Sequence, residues 1–337
     1  MSDKDAAWLG ALGDPTQCHE PLDLAGTPVD EARAMLELML LIRAAEERIG
    51  EAVTAGEVKC PCHLAIGQEA AAVGIARHVR DGDRVFGAHR SHGHFLALGG
   101  SVESLLAEIL GKDSGCSRGM GGSMHLRDMA NNFWGSVPIV GATIPIAVGA
   151  GLAAQMDGGD SIAVSFFGDG ATEEGVFHEA MNLAAVKRLP VVFVCEHNLF
   201  SSHLHVSLRQ PADSTCRYAV AHCVPWRRVD GNDVVAVAAA MAEAAERARS
   251  GGGPFYIEAV TYRWRGHVGP REDLDVGVQR KDDLGLWKKR DPIARLATTL
   301  DVEPDWAPVR ETVAAAWAKA VAAEAPSADV LLQRVFS

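Results

Sequence analysis

Two polar residues stand where two predicted strands end. Asp169 follows the apolar segment 161–167 within Gly168-Asp169-Gly170, and Asn198 follows the apolar segment 191–195. The helical pattern of residues 172–187 between them predicts a right-handed βαβ unit with parallel strands. Parallel strands share the edge at which they end, so we expect Asp169 and Asn198 to lie side by side. A carboxylate and an amide oxygen suit Mg²⁺, which usually keeps coordination positions for phosphate and water.

The turn around Asp169 also suits an anion. Gly168 and Gly170 allow a ligand to approach the backbone, and a helix that begins after Ala171, with Thr172 as a candidate N-cap, offers free N–H groups and a positive dipole end. The pattern predicts a diphosphate and Mg²⁺ site. The alternative is an ordinary tight turn with a solvated aspartate, and Asn198 at a second strand end favours the ligand site.

The elements that position these residues predict an α/β fold with a mostly parallel central sheet flanked by helices. Apolar periodicity predicts helices near 30–55 and 234–249, and a third strand over 255–261. The glycine- and histidine-rich stretch 80–151 is expected to form loops over the site. We predict an N-terminal arm (1–27), one α/β domain (28–290) and a C-terminal helical extension (291–337).

Further motifs surround the Gly-Asp-Gly turn. In chain order they are Cys62-His63-Leu64, Gly67-Gln68-Glu69, His89-Arg90-Ser91-His92-Gly93, residues 119–125, 139–142 and 177–182, and Thr261 to His267. Together with His197-Asn198 they resemble the α subunit of the E1 component of thiamine-diphosphate-dependent 2-oxo acid dehydrogenases. That family includes the pyruvate, branched-chain 2-oxo acid and acetoin dehydrogenases, and the resemblance covers roughly residues 30–295.

The resemblance implies an enzyme that decarboxylates a 2-oxo acid, or cleaves a related acyl-carbonyl bond, with thiamine diphosphate and Mg²⁺. The acyl unit usually passes to a lipoyl group. It implies that His63 and His267 take part in catalysis. It further implies Mg²⁺ ligands at Asp169, Asn198 and the backbone oxygen of Phe200, and cofactor contacts at His89, Arg90, Ala130, Pro138, Val140, Gly170, Ala171 and His267.

The chain departs from the family pattern at several positions. His197 replaces the first residue of the usual Asn-Asn pair, and His89 stands where a tyrosine often precedes the arginine. The segment 201–205 adds serine and histidine side chains, which fits a more polar substrate or an acceptor other than lipoamide. Val268 follows His267 where regulated relatives carry a phosphorylatable serine, so kinase control is not expected.

The resemblance also implies a missing partner. Thiamine enzymes use a glutamate from a pyrimidine-binding domain, and nothing after Asp291 is long enough to form one. We expect a β subunit to supply it in a heterotetramer, with a lipoyl E2 chain as a further candidate partner. A two-subunit transketolase-like or acyloin-forming enzyme that acts on a ketose is the near alternative, and a catalytically silent subunit is another. A nicotinamide dehydrogenase is disfavoured because Gly149-Ala150-Gly151 lies within a helical pattern.

Composition excludes some partners. With 32 Lys and Arg against 44 Asp and Glu, the net charge of −12 argues against nucleic acid and anionic membrane surfaces. No segment is predicted to span a membrane or to act as a signal peptide. Seven scattered cysteines favour reduced thiols in a cytoplasm, and Cys60-Pro61-Cys62-His63 lacks the spacing of a zinc site.

Overall fold

A computed structural model describes residues 5–274, 280 and 282–330. Its centre is a sheet of six parallel strands in the order β2-β1-β3-β4-β8-β7. The six are β1 (Arg84–Gly87), β2 (Phe133–Ser136), β3 (Ala163–Gly168), β4 (Val191–His197), β7 (Trp226–Asp230) and β8 (Phe255–Val260), and a small hairpin adds β5 (Phe200–Ser201) and β6 (Leu204–His205). The predicted α/β class with a parallel sheet is confirmed.

Helices cover both faces of this sheet. They are α1 (Val29–Thr54), α2 (Glu69–Ala76), α3 (His92–Ala97), α4 (Val102–Ile109), α5 (Thr143–Asp157), α6 (Gly175–Lys187), α7 (Cys216–Ala221), α8 (Val234–Arg249), α9 (Asp283–Trp287), α10 (Pro292–Thr299) and α11 (Trp306–Ala322). In the described part of the chain, no helix combines the length and apolar character needed to cross a membrane.

The side chains of the central strands alternate between two cores. In β3, Val164 and Phe166 pack into one apolar cluster with α1, α2 and α8. Ala163 and Phe167 point to the opposite face and pack with α5 and α6. Successive side chains of a strand point to opposite faces, so a strand buried on both sides is apolar throughout. This explains why β3, β4 and β8 could be recognised as mainly apolar segments, although Ser165, Glu196 and Glu258 within them are polar.

Three strands of the central sheet, and the two of the small hairpin, were not predicted. β1 and β2 are only four residues long, and β7 begins with Trp226-Arg227-Arg228 at the edge of the sheet. Short or polar segments lack the apolar run by which a strand is recognised, and their pairing is decided by neighbouring strands. The stretch 80–151 therefore forms more than loops, since it contains β1, β2, α3, α4 and the start of α5.

The helix after the Gly-Asp-Gly turn begins later than predicted. Residues Asp169–Glu173 form a 3-10 turn, and α6 starts at Gly175 with Glu174 in the N-cap position. Thr172 lies within the 3-10 turn and is therefore not the N-cap of α6. Its hydroxyl donates to the carbonyl oxygen of Asp169 at 2.7 Å. The glycine-rich turn is thus a tight turn of its own, placed between the strand and the helix.

Both terminal segments pack against the sheet domain. In the N-terminal segment Ala6, Leu9 and Leu22 are buried. Arg290 donates to the carbonyl oxygen of Leu12 at 2.9 Å, and so joins this segment to the chain before α10. The predicted boundaries at residues 27 and 290 stay predictions, and residues 1–4 and 331–337 of the two terminal segments lie outside the described part of the chain.

Candidate active site

A pocket opens where the strand order changes direction. From β1 the chain continues to β2 on one side of the sheet. From β3 it continues to β4 on the other side. β1 and β3 are adjacent, so the loops that leave their carboxyl ends diverge and leave a crevice between them. Residues 88–90 after β1 and 168–171 after β3 line that crevice.

Most of the predicted cofactor and metal residues meet at this pocket. Its lining includes His89, Arg90, Val140, Asp169, Gly170, Ala171, Asn198, Phe200 and His267. His63 lies next to two of them. Pro138 and Ala130 do not belong to the lining: Pro138 is half-buried in the segment before Val140, and Ala130 is exposed on the 3-10 turn Met129–Asn131.

The pairing of β3 with β4 places the two candidate metal ligands. Phe167 pairs with Cys195 and Gly168 pairs with Glu196, so both strands end at the same level. Asp169 is almost fully buried, and its Oδ1 has no hydrogen-bond partner in the part of the chain that the structure describes. Its Oδ2 forms an ion pair with the guanidinium of Arg209, which also pairs with Glu173. Asp169 thus keeps one unsatisfied carboxylate oxygen, which is costly unless a ligand occupies the site.

Asn198 is held by a sharp bend in the chain. Its Oδ1 accepts a hydrogen bond from the backbone N–H of Phe200 at 3.3 Å, and its Nδ2 donates to Gln68 Oε1 at 3.3 Å. Leu199, which lies between Asn198 and Phe200, has a φ of 69°, in the left-handed region that a leucine rarely occupies. Strain of this kind persists where surrounding structure enforces it, and such positions cluster at ligand sites.

Gly170 is required by the close approach of β5. A Cβ atom at this position would lie 2.5 Å from Ser201 Oγ and 2.8 Å from Ser201 Cβ. At Gly168, by contrast, a Cβ atom would meet nothing within 4 Å. The second glycine of the motif therefore lets the turn after β3 and the hairpin after β4 form two walls of one narrow pocket.

Three histidines cluster on the opposite wall. The ring of His63 lies 4.7 Å from that of His89 and 5.1 Å from that of His267, measured between centroids. Burial and the neighbouring guanidinium of Arg90 lower the pKa of His63 to about 3 and that of His267 to about 4, and the same causes lower the pKa of His89. All three rings are therefore neutral near pH 7.

Arg90 joins the histidine wall to the loop that carries His267. Its guanidinium donates to the carbonyl oxygen of Leu64 and, at 3.3 Å, to that of His267. The same loop is held by Asp273, whose Oδ2 accepts from the backbone N–H of His267 at 2.6 Å and lies 3.5 Å from Arg263 Nη1. Buried cations at this wall favour a ligand that carries negative charge.

Two other histidines of the glycine-rich stretch are structural. His92 hydrogen-bonds to Glu46 at 3.1 Å and to Ser123 at 2.7 Å, and His94 hydrogen-bonds to Glu196 at 3.1 Å. Both are buried. His125 is exposed and does not line the pocket.

His197 connects the pocket to a buried carboxylate. Its Nδ1 lies 3.1 Å from Glu258 Oε1, and its Nε2 lies 4.0 Å from Asp169 Oδ2. Burial alone would lower the pKa of His197, but Glu258 and Asp169 raise it above its ordinary value. The histidine at this departure from the Asn-Asn pattern thus lies between two carboxylates and is stabilised in its charged form.

Sequence reasoning missed several residues of this site. Arg209 carries no motif, since it reaches Asp169 only because the chain folds back after β6. Gln68 stands in a recognised motif, but its contact with Asn198 depends on the packing of the turn before α2. Ser201 and Ser202 were noticed as polar departures, and both line the pocket.

The residues present fit a diphosphate with its metal ion. The donor set near Asp169 and Asn198 is made of oxygen atoms, the kind that Mg²⁺ prefers, and Asp169 Oδ1 is buried without a partner. The backbone of the Gly-Asp-Gly turn faces the same pocket as Arg90 and the histidines. These are the features of an α/β enzyme that binds a phosphorylated cofactor at the carboxyl edge of its sheet.

The chain belongs to the dehydrogenase E1 component family, whose sequence pattern it matches over residues 37–329. It is 43% identical over 238 residues to the α subunit of acetoin:2,6-dichlorophenolindophenol oxidoreductase of Bacillus subtilis (strain 168), which covers 71% of this chain and 72% of the relative. It is 40% identical over 238 residues to the pyruvate dehydrogenase E1 component α subunit of Rhizobium meliloti (strain 1021), covering 71% and 68%. The human somatic mitochondrial pyruvate dehydrogenase E1 α subunit is 36% identical over 284 residues, covering 82% and 72%.

These findings confirm the predicted family and class of enzyme. The chain is an E1 α subunit of the 2-oxo acid dehydrogenase family, and hence an oxidoreductase of a family that uses thiamine diphosphate.

Proposed function

We propose that this chain binds thiamine diphosphate together with Mg²⁺ in the pocket between β1 and β3, and there decarboxylates a 2-oxo acid or cleaves a related acyl-carbonyl bond. The single observation that carries the proposal is the buried Asp169, with an unpartnered Oδ1, beside Asn198 at the carboxyl edge of the sheet. Asp169, Asn198 and the backbone oxygen of Phe200 would hold the metal ion.

The remaining lining residues divide between the two ends of the cofactor. Gly170 and Ala171 would contact the diphosphate from one wall, and Arg90 and His89 from the other. Val140, at the rim of the pocket, would contact the aminopyrimidine with its backbone. Pro138 keeps the same proposed role through the backbone before Val140. Ala130 would need a change in its exposed turn to reach the pocket, and no observation supports a cofactor contact there.

Thiamine diphosphate supplies, when bound, a thiazolium carbon that stabilises the negative charge left when carbon dioxide departs. The chain's own contribution is charge balance and proton handling. Arg90 offers a buried positive charge to the diphosphate. His63 and His267 are neutral near pH 7, so each can donate or accept a hydrogen bond near the reacting carbonyl. The buried Nδ1 of His63 has no hydrogen-bond partner among the described residues, and we propose that it contacts the substrate.

Two substrate classes follow from the relatives. The pyruvate dehydrogenase names support a 2-oxo acid as substrate. The acetoin oxidoreductase name supports acetoin, a hydroxyketone, as a second substrate class. A lipoyl group as acyl acceptor is part of our proposal on the family resemblance alone. We propose the decarboxylation as the principal reading and the cleavage of a hydroxyketone as the second.

We also propose a β chain as obligatory partner. The relatives' names as α subunits support it. An apolar surface borders the pocket: Ile139 and Val140 at its rim, and Ile146 and Met156 on α5, are exposed. α6 packs beside α5 and exposes Leu183 and Val186. A patch of this kind marks a protein interface, and we propose that the β chain covers it. The cytoplasmic location remains a prediction.

The proposal is tested with the chain co-expressed with an E1 β chain. Turnover is followed with 2,6-dichlorophenolindophenol as electron acceptor across a panel of 2-oxo acids, acetoin and a ketose, with thiamine diphosphate and Mg²⁺ present or absent. We expect turnover with a 2-oxo acid or acetoin that requires both additions. Turnover with the ketose and with no other substrate would overturn the proposal. So would a complex that binds neither thiamine diphosphate nor Mg²⁺.

A further inference from the structure

Two thiols lie together on the chain just before the histidine wall. Cys60 and Cys62 are separated by one proline, and their Sγ atoms are 4.0 Å apart. The chain bends at Cys60, and this bend brings the side chains on either side of Pro61 together. A disulfide needs an S–S distance of about 2.05 Å, so closure requires the sulfur atoms to approach by roughly 2 Å. Cys60 is partly exposed and Cys62 is buried.

The same segment supports the candidate active site. Cys62 precedes His63 directly, and the carbonyl oxygen of Cys62 accepts from the backbone N–H of Gly269 at 2.7 Å. The carbonyl oxygen of Leu64 accepts from Arg90. A change in the backbone at residues 60–62 would therefore move the His63 ring and loosen the attachment of the His267 loop.

The two thiols differ in a way that suits stepwise oxidation. The contact between the two sulfur atoms lowers the pKa of Cys60 to about 6. The same interaction, together with burial, raises the pKa of Cys62. Cys60 is thus the more readily deprotonated of the two thiols, and it is also the less buried one.

We propose that Cys60 and Cys62 form an oxidation-sensitive dithiol, which hydroperoxides close to an intrachain disulfide. The Cys60 thiolate attacks the peroxide, the O–O bond breaks, and Cys60 becomes a sulfenic acid with release of water or the corresponding alcohol. Cys62 then gives up its proton and attacks the Cys60 sulfur, the S–O bond breaks, and the hydroxide leaves as water. Two thiols are oxidised, one peroxide is reduced, and a thiol reductant reverses the change.

Closure of the pair is expected to lower activity because it displaces His63. This consequence rests on the proposed function, but formation of the disulfide does not. Direct detection of the disulfide therefore tests the thiol chemistry separately from the proposed function. The disulfide can be detected whatever reaction the chain catalyses.

The test uses the full chain with its β partner. After treatment with hydrogen peroxide, free thiols are alkylated and the protein is digested with trypsin. The mass of the tryptic peptide 60–77, which carries both cysteines, is then measured by mass spectrometry. We expect this peptide to lose two hydrogen atoms and to escape alkylation, with full reversal by dithiothreitol. Under peroxide, the activity of the wild type should fall at least about tenfold faster than that of Cys60→Ser. The control Cys223→Ser, which replaces an exposed thiol outside the pair, should lose activity at the wild-type rate.

Alkylation at both cysteines after peroxide treatment would overturn the proposal. So would a peptide that carries a sulfinic acid on Cys60 and no disulfide. If Cys60→Ser folds poorly, Cys62→Ala provides the second variant, and it must likewise abolish the mass change. A disulfide that forms without any loss of activity would leave the thiol pair standing but overturn its effect on His63.

Discussion

At the scale of single residues, the two walls of the pocket carry opposite charges. Asp169 is buried and shares the guanidinium of Arg209 with the exposed Glu173. On the opposite wall, burial and the positive charge of Arg90 lower the pKa of His63 and His267, so that both rings are neutral near pH 7. Opposite charges on facing walls suit a ligand that is itself dipolar, a metal ion bound to an anion.

The first prediction concerns Asp169. Replacing Asp169 with asparagine removes the negative charge from the proposed metal site, and we expect Mg²⁺-dependent binding of thiamine diphosphate to weaken by about 100-fold or more. Isothermal titration of the cofactor at fixed Mg²⁺ measures it. Glu173→Gln is the matched control, because it also removes a partner of Arg209 but lies outside the pocket lining. Equal losses in both variants would contradict the assignment.

The second prediction concerns the pH dependence of stability. The pKa of His63 is lowered from 6.5 to about 3, so between these values the unfolded chain binds a proton that the folded chain does not. The free energy of unfolding should therefore fall as the pH drops below 6.5, by on the order of 1–2 kcal/mol from this residue. Chemical denaturation at pH 7.5 and 4.5 tests it. His63→Gln should reduce the slope and His125→Gln, at an exposed histidine, should not; identical slopes would contradict the prediction.

At the scale of elements, the site depends on how closely neighbouring segments approach. The turn after β3 touches the hairpin after β4 at Gly170, where a Cβ atom would lie 2.5 Å from Ser201 Oγ. Behind the pocket, Glu258 on β8 is fully buried and accepts from Arg228 on β7 at 2.8 Å and from Ser214 at 2.6 Å. Both features hold strand ends at fixed positions.

The third prediction compares two glycines of the same motif. Gly170→Ala must displace Ser201 and should cost about 1–3 kcal/mol of stability, with weaker cofactor binding. Gly168→Ala has free space around its Cβ and should change stability little. Thermal and urea unfolding measure both. Ser201→Gly should restore part of the loss in Gly170→Ala, and a Gly168→Ala variant that is equally destabilised would show that space is not the reason.

The fourth prediction concerns Glu258. Glu258→Gln leaves the buried charges of Arg228 and His197 without their counterion, and we expect a loss of about 3 kcal/mol in the free energy of unfolding. Glu243→Gln breaks the exposed pair with Arg227 and should cost less than about 1 kcal/mol. Urea unfolding of both variants compares them. A loss in Glu258→Gln no larger than in its control would show that the buried network does not hold the strand ends.

At the scale of the whole molecule, the chain presents a pocket bordered by uncovered apolar surface. Met156 and Val186 are 79% and 70% exposed, on two helices that pack side by side. Exposed apolar patches of this extent mark interfaces, and the relatives are named as subunits. The chain therefore has the features of one part of an assembly.

The fifth prediction concerns that assembly. Leu183→Glu places a charge in the proposed interface and should weaken association with the β chain by about tenfold or more. Val321→Glu, at an exposed position on α11, should not. Co-purification and analytical ultracentrifugation measure association, and circular dichroism confirms that both variants fold. Loss of association in Val321→Glu alone would place the interface elsewhere.

The sequence by itself determined the parallel α/β class, because strands buried on both faces are mainly apolar, as β3, β4 and β8 are. It also determined that Asp169 and Asn198 meet, since one helix joins their strands. Tertiary structure alone decided which other residues join them. Arg209, Gln68 and Ser201 arrive through packing between segments far apart in the chain, and long-range packing leaves no periodic trace in the sequence.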